Sequence, residues 1–312
     1  MSPEHMLRTR CLIKAFDLRG SSSAQHFLIL KTVMKGNMLI FAPLCLLLCW
    51  EVPVDSMRIH FNFTQRDAKS EIPLSLVDQS VDDMYFGCNK EMMDRLNNEY
   101  SPEKYEGQFA DVWNKAKKCA ELKLIHGEDK ALSKDHIQAI CSYTSYYEMF
   151  YQTFNNAVRT EGNFYGNSSF KFHSLHFLLT SAIQILNNNY NCHTTYRRTN
   201  VKFTGQINQR IRFGHFASSS YMQDLTQFGT ETCFKIKTCS GALLKNYSVF
   251  QDEAEVLIPP YEVFKITKKI EGQAKVNISL GVKSCKVMYI LESAGYMSTL
   301  NCKAAYLSQL TV

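Results

Sequence analysis

The sequence predicts an α+β fold in which a helical N-terminal half packs on a β-rich C-terminal half. Apolar residues recur at helical spacing between about residues 80 and 190, and after Cys192 they form short alternating or β-branched runs. With 312 residues, 45% of them hydrophobic, the chain is long enough to bury a large core. We expect an upstream extension and secretory signal over 1–50, an N-terminal segment over 51–80, a helical subdomain over 81–190 and a β-rich subdomain over 191–312.

Residues 38–50, MLIFAPLCLLLCW, form a continuous apolar stretch preceded by Lys31 and Lys35. The stretch is shorter than a membrane-spanning helix and has the layout of a secretory signal. Because a signal normally starts a few residues before its apolar region, we interpret residues 1–33 as an upstream extension and Met34 as the more conventional start. An uncleaved anchor or a buried strand is the alternative. We expect a secreted, soluble mature protein beginning between residues 50 and 56.

The formal net charge of +6 comes mostly from the first 50 residues, which hold six basic and two acidic side chains. The remainder carries only +2, with both signs mixed along the chain. This pattern is typical of an ordinary solvated surface, so we expect no nucleic-acid partner. No long apolar tail follows Cys302, and we therefore expect no stable membrane anchor.

Cysteines and glycosylation sequons support an oxidising compartment. Eleven cysteines are present, and removal of Cys11, Cys45 and Cys49 with the leader leaves eight, an even number. No CxxC pair occurs, so zinc and thioredoxin-like chemistry are not indicated. Four Asn-X-Ser/Thr sequons follow the signal, at Asn62, Asn167, Asn246 and Asn277.

Three helical segments are predicted in order. Ser101-Pro102-Glu103 has the residues of a helix start. Ser133 with Asp135 begins a second helix, whose apolar stripe consists of Ile140, Tyr143, Tyr147, Tyr151, Phe154 and Val158. A third helix begins near Leu175 and ends at the asparagines 187–189. We assign the aromatic stripe to the core.

The second half predicts strands in six runs, TYRRTNVKF, RIRFGHF, TCFKIKTC, EVLIPPYEVFKI, KVNISL and VMYILES, separated by Gly, Asn, Asp and Lys clusters. Three motifs stand out in this half: Tyr196-Arg197, the segment from Arg212 to Ser220 with Ser218-Ser-Ser220 at its end, and Glu253-Ala-Glu255-Val-Leu-Ile-Pro-Pro-Tyr-Glu. Each polar residue alone is most often an ordinary surface residue, and only the order of the three motifs is specific.

In these motifs the chain resembles the vertebrate ecto-mono-ADP-ribosyltransferases, whose signature is an Arg, a Ser-x-Ser strand and Glu-x-Glu. The likeness extends from about Tyr85 to Cys302. It implies the ADP-ribosyltransferase fold, a helical subdomain packed on a two-sheet β core, with residues 191–312 as the NAD-binding catalytic subdomain. It also implies NAD as co-substrate, with no metal, and as partners extracellular or cell-surface proteins with exposed arginine. We expect a monomer.

The resemblance assigns roles to the two glutamates. Cleavage of the nicotinamide–ribose bond develops an oxocarbenium-like centre, which a carboxylate near the ribose stabilises. Glu255 is expected to engage the ribose, and Glu253 to position or deprotonate the incoming guanidinium. Alternation along one strand is expected to bring both side chains to the same face, with Ala254 pointing away, and both carboxylates are expected to be exposed.

The remaining site residues also follow from the resemblance. Arg197 matches the NAD-binding arginine, and Tyr196 precedes it. Ser218 matches the hydroxyl that orients the catalytic glutamate, and Phe228 the aromatic that packs on nicotinamide. Arg198 stands where the family often has Gly, so its backbone is expected to meet NAD while its side chain narrows the pocket.

The resemblance further implies that Cys88 pairs with Cys302 and Cys192 with Cys239, and it leaves Cys119, Cys141, Cys233 and Cys285 unassigned. His173 and His176 could share a helix face and bind metal, but without a third ligand a structural role is favoured. Two alternatives to arginine transfer remain open. One is NAD glycohydrolysis, with water as the acceptor, and the other is a catalytically silent extracellular glycoprotein on the same fold.

Overall fold

The computed structural model describes residues 71–145, 147–167, 169–187 and 191–307. The predicted signal and the sequon at Asn62 lie outside the described residues. Within them the helices are α1 Asn89–Asn98, α2 Gly107–Ile125, α3 Lys134–Thr144, α4 Phe150–Thr160, α5 His173–Leu186, α6 Gln273–Leu280 and α7 Lys303–Tyr306. None of the helices in this part of the chain has the length and apolar character needed to cross a membrane.

Local capping residues explain where the helices begin. Ser133 caps α3 as predicted: its Oγ accepts the backbone N–H of His136 at 3.3 Å, and His136 Nδ1 accepts the N–H of Ser133 at 3.0 Å. Ser101 begins only a short 3₁₀ helix, Ser101–Tyr105, and α2 starts afterwards at Gly107. The Ser-Pro-Glu sequence therefore begins this short 3₁₀ helix and not the long helix α2.

The aromatic stripe between Ile140 and Val158 does not lie on one helix. Ser145 is extended and ends α3, and Glu148 and Met149 have left-handed backbone angles, with φ of 47° and 55°. The chain therefore changes direction before α4. The stripe keeps its helical spacing on both sides of the break because both helices pack into the same core.

The strands are β1 Ile72–Pro73, β2 His193–Thr199, β3 Phe203–Thr204, β4 Arg210–Ile211, β5 Ala217–Ser220, β6 Thr232–Thr238, β7 Ala242–Leu243, β8 Glu255–Ile258, β9 Glu262–Glu271 and β10 Val287–Tyr296. Eight of them form a mixed sheet in the order β4-β9-β10-β6-β2-β5-β8-β7, and β1 pairs with β3. A single residue pair, Tyr196 with Ser220, joins β2 to β5. The sheet therefore divides there into a five-stranded and a three-stranded part.

The predicted strand KVNISL is wrong, because this run forms α6 between Gly272 and Gly281. Val276 and Leu280 are four residues apart and therefore share a helix face, and both pack on a small cluster that includes Cys233 and Met288. A run with apolar residues at every second position also has them four apart, so spacing alone does not separate the two structures.

The helices and sheet enclose a large core. Side chains of α1–α5 pack together and against the three-stranded part of the sheet, through Ala242 and Leu257 on its strands and Phe216 and Leu244 next to them. A second cluster, with Phe234, Phe264 and Tyr289 among its members, covers the five-stranded part. The α+β class is confirmed by this arrangement, and the subdomain limits at residues 81, 190 and 191 stay predictions.

Four disulfides connect the described segments. The predicted pairs Cys88–Cys302 and Cys192–Cys239 are confirmed. The four cysteines without assigned partners form Cys119–Cys141, which joins α2 to α3, and Cys233–Cys285, which joins β6 to the segment before β10.

Arg212, in the second sequence motif, has a structural role. Its guanidinium is fully buried and forms an ion pair with the buried Asp82 at 2.6 Å. The same group donates to the carbonyl oxygens of Leu76, Val77 and Met297 at 2.6 to 3.1 Å. Arg212 therefore connects the segment before α1 to Met297, the residue that follows β10.

Candidate active site

Three neighbouring strands carry Arg197, Ser218 and Glu255, three of the residues predicted to form the site. β2, β5 and β8 are adjacent in the sheet. Tyr196 is paired with Ser220, and Ser220 is paired in turn with Glu255. Arg197, Ser218 and Glu255 come from these three strands and lie close together, since Arg197 Nη1 donates to the Ser218 carbonyl oxygen and both Arg197 and Ser218 act on the pKa of Glu255.

Arg197 presents a buried guanidinium, with the residue 2% exposed. Its Nη1 donates to the carbonyl oxygen of Ser218, which anchors the side chain to β5. Its Nε has no hydrogen-bond partner among the described residues. Burial lowers the pKa of Arg197 to about 10, against the opposing effect of two tyrosines and of Glu255. The group is therefore still cationic at neutral pH and has a free donor, as recognition of an anionic ligand requires.

Glu255, the first residue of β8, is also 2% exposed. Ser248 Oγ donates to its Oε2 at 2.7 Å. Its Oε1 has no hydrogen-bond partner among the described residues. Burial raises the pKa of Glu255, and the hydroxyls of Ser218 and Ser248, with the charge of Arg197, lower it. The result is a buried carboxylate with one oxygen bound to the protein and the other available to a ligand.

Ser218 lies on the same face of the β5–β8 pair as Glu255, because Ser220, two residues further, is directly opposite Glu255. The Ser218 hydroxyl forms no hydrogen bond of good geometry with a described residue, yet it is near enough to Glu255 to lower its pKa. This position suits a hydroxyl that orients the glutamate, and that role stays a prediction.

Glu253 lies in a different local structure from the predicted one. It ends a 3₁₀ helix, Gln251–Glu253, and β8 begins only at Glu255. Ala254 has a left-handed φ of 46°, and the Ser220 hydroxyl donates to the carbonyl oxygen of Glu253 at 2.5 Å. The argument from strand alternation was therefore wrong. The expected exposure was wrong as well, because Glu253 is only 5% exposed.

Tyr196 and Arg198 point away from Arg197, because successive side chains of a strand face opposite sides. Tyr196 packs on the cluster around α6. The Arg198 guanidinium donates to the carbonyl oxygens of Gln223 at 2.7 and 2.9 Å and of Lys283 at 3.0 Å. Its side chain therefore joins two loops and does not narrow the Arg197 side of β2. Contacts of both residues with NAD stay predictions, for Arg198 through its backbone.

Phe228 is buried in a 3₁₀ helix, Thr226–Phe228, that contacts β2. The next residue, Gly229, has a φ of 137° and lies directly against the backbone of Thr199 and Asn200. A side chain at Gly229 would overlap this backbone, so glycine allows the turn to approach the end of β2. The structure places Phe228 beside β2, and its packing on nicotinamide stays a prediction.

The two histidines considered as metal ligands bind protein groups instead. His173 contacts Glu103 Oε1 at 2.7 Å and the Tyr165 carbonyl oxygen at 2.9 Å. His176 contacts the Tyr85 hydroxyl at 2.8 Å and the Val81 carbonyl oxygen at 3.0 Å. All four ring nitrogens are thus engaged, and in the described part of the chain no three potential metal ligands converge.

Tyr143 and Ser248 were not predicted as site residues. Tyr143 belongs to the aromatic stripe that we assigned to the core, and its hydroxyl donates to the Phe216 carbonyl oxygen at 2.7 Å. Burial raises its pKa to about 12, and the nearby Glu255 and Arg197 also act on it. Ser248 lies in a loop without any catalytic motif. No local sequence pattern identifies either residue, because only folding brings them near Glu255.

His215 also lies near Arg197 and was not predicted as a site residue, although it belongs to the Arg212–Ser220 motif. It is buried, and its Nδ1 contacts the Phe213 carbonyl oxygen at 2.7 Å. Burial lowers its pKa well below the usual range, and the charges of Arg159 and Arg197 lower it further. Arg159 and Arg197 therefore both lie near enough to His215 to act on its charge.

This chain is similar in sequence to known proteins. The family model described as NAD:arginine ADP-ribosyltransferase matches residues 74–286. The erythroblast NAD(P)(+)--arginine ADP-ribosyltransferase of Gallus gallus is 32% identical over 240 residues, which cover 75% of this chain and 76% of that protein. Ecto-ADP-ribosyltransferase 4 of Homo sapiens is 34% identical over 238 residues, covering 72% and 70%.

Solved structures show the same fold. The eukaryotic mono-ADP-ribosyltransferase ART2.2, as a mutant in complex with NADH, has a TM-score of 0.61 at 28% identity and covers 74% of this chain and 98% of its own. A second ART2.2 mutant, in complex with NAD, has a TM-score of 0.59 at 29% identity with the same coverage. The sequence matches and the shared fold together show that this chain belongs to the NAD:arginine ADP-ribosyltransferase family.

Proposed function

We propose that this protein transfers ADP-ribose from NAD to arginine side chains of other proteins and releases nicotinamide. The observation that carries the proposal is the buried Glu255 carboxylate beside the Arg197 cation, with Oε1 unpartnered among the described residues. Two relatives support it, since they are named NAD(P)(+)--arginine ADP-ribosyltransferases. An ART2.2 structure that contains NAD supports NAD as the substrate.

The cleavage step uses Glu255. The bond between ribose C1′ and the nicotinamide nitrogen breaks, and nicotinamide leaves with the bonding electron pair. Positive charge then develops on the ribose, and an ionised carboxylate beside it stabilises charge that appears only in the transition state. Because Glu255 is removed from water, this attraction is stronger than it would be at the surface. Arg197 binds the anionic part of NAD, and its charge lowers the pKa of Glu255 against the larger effect of burial.

The transfer step uses Glu253. An arginine side chain is always cationic in water and is a poor nucleophile, so a base must accept a proton as its nitrogen attacks C1′. Glu253 is close in sequence to Glu255, and the left-handed residue Ala254 lets the chain pass from the 3₁₀ helix into β8. In this proposal Glu255 serves the ribose and Glu253 serves the acceptor.

One experiment separates this function from the two alternatives. The purified protein is incubated with labelled NAD, with an arginine analogue or with buffer alone. Arginine transfer predicts label on the analogue, and NAD glycohydrolysis predicts nicotinamide release that the analogue does not change. A protein that releases no nicotinamide under either condition would contradict both enzymatic functions and would favour a catalytically silent protein.

We further propose that the protein acts outside the cell as a secreted monomeric glycoprotein on proteins with exposed arginine. Several relatives are named ecto-ADP-ribosyltransferases, and four disulfides fit an oxidising compartment. The sequon asparagines Asn167, Asn246 and Asn277 are all exposed. Expression in animal cells with N-terminal sequencing of the secreted product tests this proposal, and retention of residues 38–50 would contradict it.

A further inference from the structure

Ser248 forms a hydrogen bond with the Glu255 carboxylate. It is 1% exposed, and its Oγ donates to Glu255 Oε2 at 2.7 Å. Among the described residues, Glu255 Oε2 forms this hydrogen bond and Oε1 forms none. One oxygen of the carboxylate is therefore fixed to the protein, and the other is left without a partner in a buried position.

The loop that carries Ser248 is itself held from several sides. The backbone N–H of Phe250 donates to Ser248 Oγ at 3.2 Å, so the hydroxyl hydrogen remains for Glu255. Lys123 Nζ of α2 donates to the Ser248 carbonyl oxygen at 2.8 Å. The N–H of Val249 donates to Thr144 Oγ1, at the end of α3, at 3.1 Å. The helical half of the molecule thus determines where the Ser248 hydroxyl lies.

We propose that Ser248 is a positioning residue for the cleavage step: its hydroxyl holds Glu255 Oε2, so that Oε1 is the oxygen presented to the ribose. This inference rests on the proposed function of Glu255. It assigns the two carboxylate oxygens different tasks. It also connects α2 and α3, which carry no sequence motif of catalysis, to the chemistry in β8.

Ser248 also belongs to a glycosylation sequon, so a control variant must separate the loss of the hydroxyl from the loss of the sequon. Ser248 is the hydroxyl residue of the sequon Asn246-Tyr247-Ser248, so replacing it by alanine also removes a glycosylation signal. Ser248→Thr keeps both the hydroxyl and the sequon. Asn246→Gln removes the sequon and keeps the hydroxyl, and because Asn246 is exposed it is the matched control.

The experiment measures nicotinamide release and arginine labelling for the wild type and the three variants across a range of pH. Ser248→Ala is expected to lower kcat for both reactions by roughly 10- to 100-fold, because a hydrogen bond to a charged group is lost from the transition state. The KM for NAD should change less than kcat. The acidic limb of the kcat profile should move to higher pH, because the hydroxyl lowers the pKa of Glu255.

Ser248→Thr is expected to restore most of the lost kcat, and Asn246→Gln to keep wild-type kcat and the wild-type pH profile. Thermal unfolding of each variant is recorded in parallel, and all assays are run well below the lowest midpoint. A wild type that cleaves NAD, with a Ser248→Ala variant of unchanged kcat and pH profile, would overturn this inference alone. Equal loss of kcat in Asn246→Gln and Ser248→Ala would also overturn it. A wild type without NAD cleavage would overturn the proposed function as well.

Discussion

Glu253 and Glu255 are separated by one residue but lie in different local structures. Glu253 ends a 3₁₀ helix and Glu255 begins β8, with the left-handed Ala254 between them. Both are buried, so each charge depends on particular neighbours rather than on water. For Glu255 these neighbours are Ser248, Ser218 and Arg197. At the residue scale, the proposed division of labour between the two glutamates therefore depends on individual contacts.

The two glutamates should separate bond cleavage from acceptor choice. Glu255→Gln is expected to lower both nicotinamide release and arginine labelling by roughly 10²–10³-fold, because one preorganised electrostatic contact to the transition state is lost. Glu253→Gln should lose arginine labelling and keep measurable nicotinamide release, because the contacts to the ribose are intact. Both activities are measured on the same preparations. Equal loss of both in the two variants would contradict the division of labour, and full activity of Glu255→Gln would overturn the site assignment.

His136 should make stability depend on pH. Burial lowers its pKa to about 4, whereas an unfolded histidine titrates near 6.5. The unfolded state therefore binds more protons between these values, so the stabilisation is complete above about pH 6.5 and is lost as the pH falls toward 4. From pH 7 to pH 4.5 this group alone should cost about 2 kcal/mol of unfolding free energy.

Urea unfolding at both pH values tests this expectation. His136→Gln should reduce the loss of stability on acidification. His126→Gln is the control, because His126 is exposed, and it should reproduce the wild-type dependence. Identical pH dependence in His136→Gln and the wild type would show that His136 does not carry the effect.

At the element scale, segments without regular structure are bound by buried charges. The stretch from Leu74 to Asp82 has little secondary structure, and Arg212 holds it through one ion pair and several carbonyl contacts. Asp82 also accepts the backbone N–H groups of Thr299 and Leu300 at 2.9 and 3.0 Å. Two ends of the described chain therefore meet at one carboxylate.

Removing this carboxylate should destabilise the fold strongly. Asp82→Asn leaves the Arg212 charge buried without its partner, which typically costs roughly 3 to 5 kcal/mol. Urea unfolding at neutral pH measures the change. Asp94→Asn is the matched control, because Asp94 pairs with Lys90 at the surface, and it should leave the unfolding free energy almost unchanged. Similar values for the two variants would contradict a structural role of the buried pair.

Two elements differ from what periodicity predicted. The run KVNISL forms α6 because Val276 and Leu280 meet the same cluster, and the stripe from Ile140 to Val158 breaks at Glu148 and Met149. The stripe residues on α3 and α4 are buried as predicted, whereas Ile278 of the run KVNISL is exposed, and in both cases the predicted backbone was wrong. Spacing indicates candidate buried positions, whereas the backbone depends on what the side chains pack against.

At the scale of the whole molecule, disulfides connect distant parts of the chain. Cys88–Cys302 joins residues 214 positions apart, and Cys119–Cys141 joins residues 22 apart. A longer closed loop restricts the unfolded chain more, although the other disulfides shorten the effective loop closed by Cys88–Cys302.

The long disulfide should therefore contribute more to stability. Replacing both Cys88 and Cys302 by Ala is expected to cost about 1 to 2 kcal/mol more than replacing both Cys119 and Cys141, by the chain-entropy relation with the shortened loop. Urea unfolding of the two double variants under non-reducing conditions tests this. A larger loss for the pair at 119 and 141 would show that native packing between α2 and α3, rather than loop length, determines the contribution.

The sequence by itself determined the fold class, the order of the motifs and, by family resemblance, two of the four disulfides. Only the tertiary structure decided the route of Glu253, the direction of Arg198 and the contact of Ser248 with Glu255. The physical reason is the distance along the chain over which each interaction acts. Capping, spacing and strand propensity act over a few residues and can be read along the chain. The left-handed turn at Ala254 and the Ser248 hydrogen bond depend on packing between segments far apart in sequence, and no local pattern records that packing.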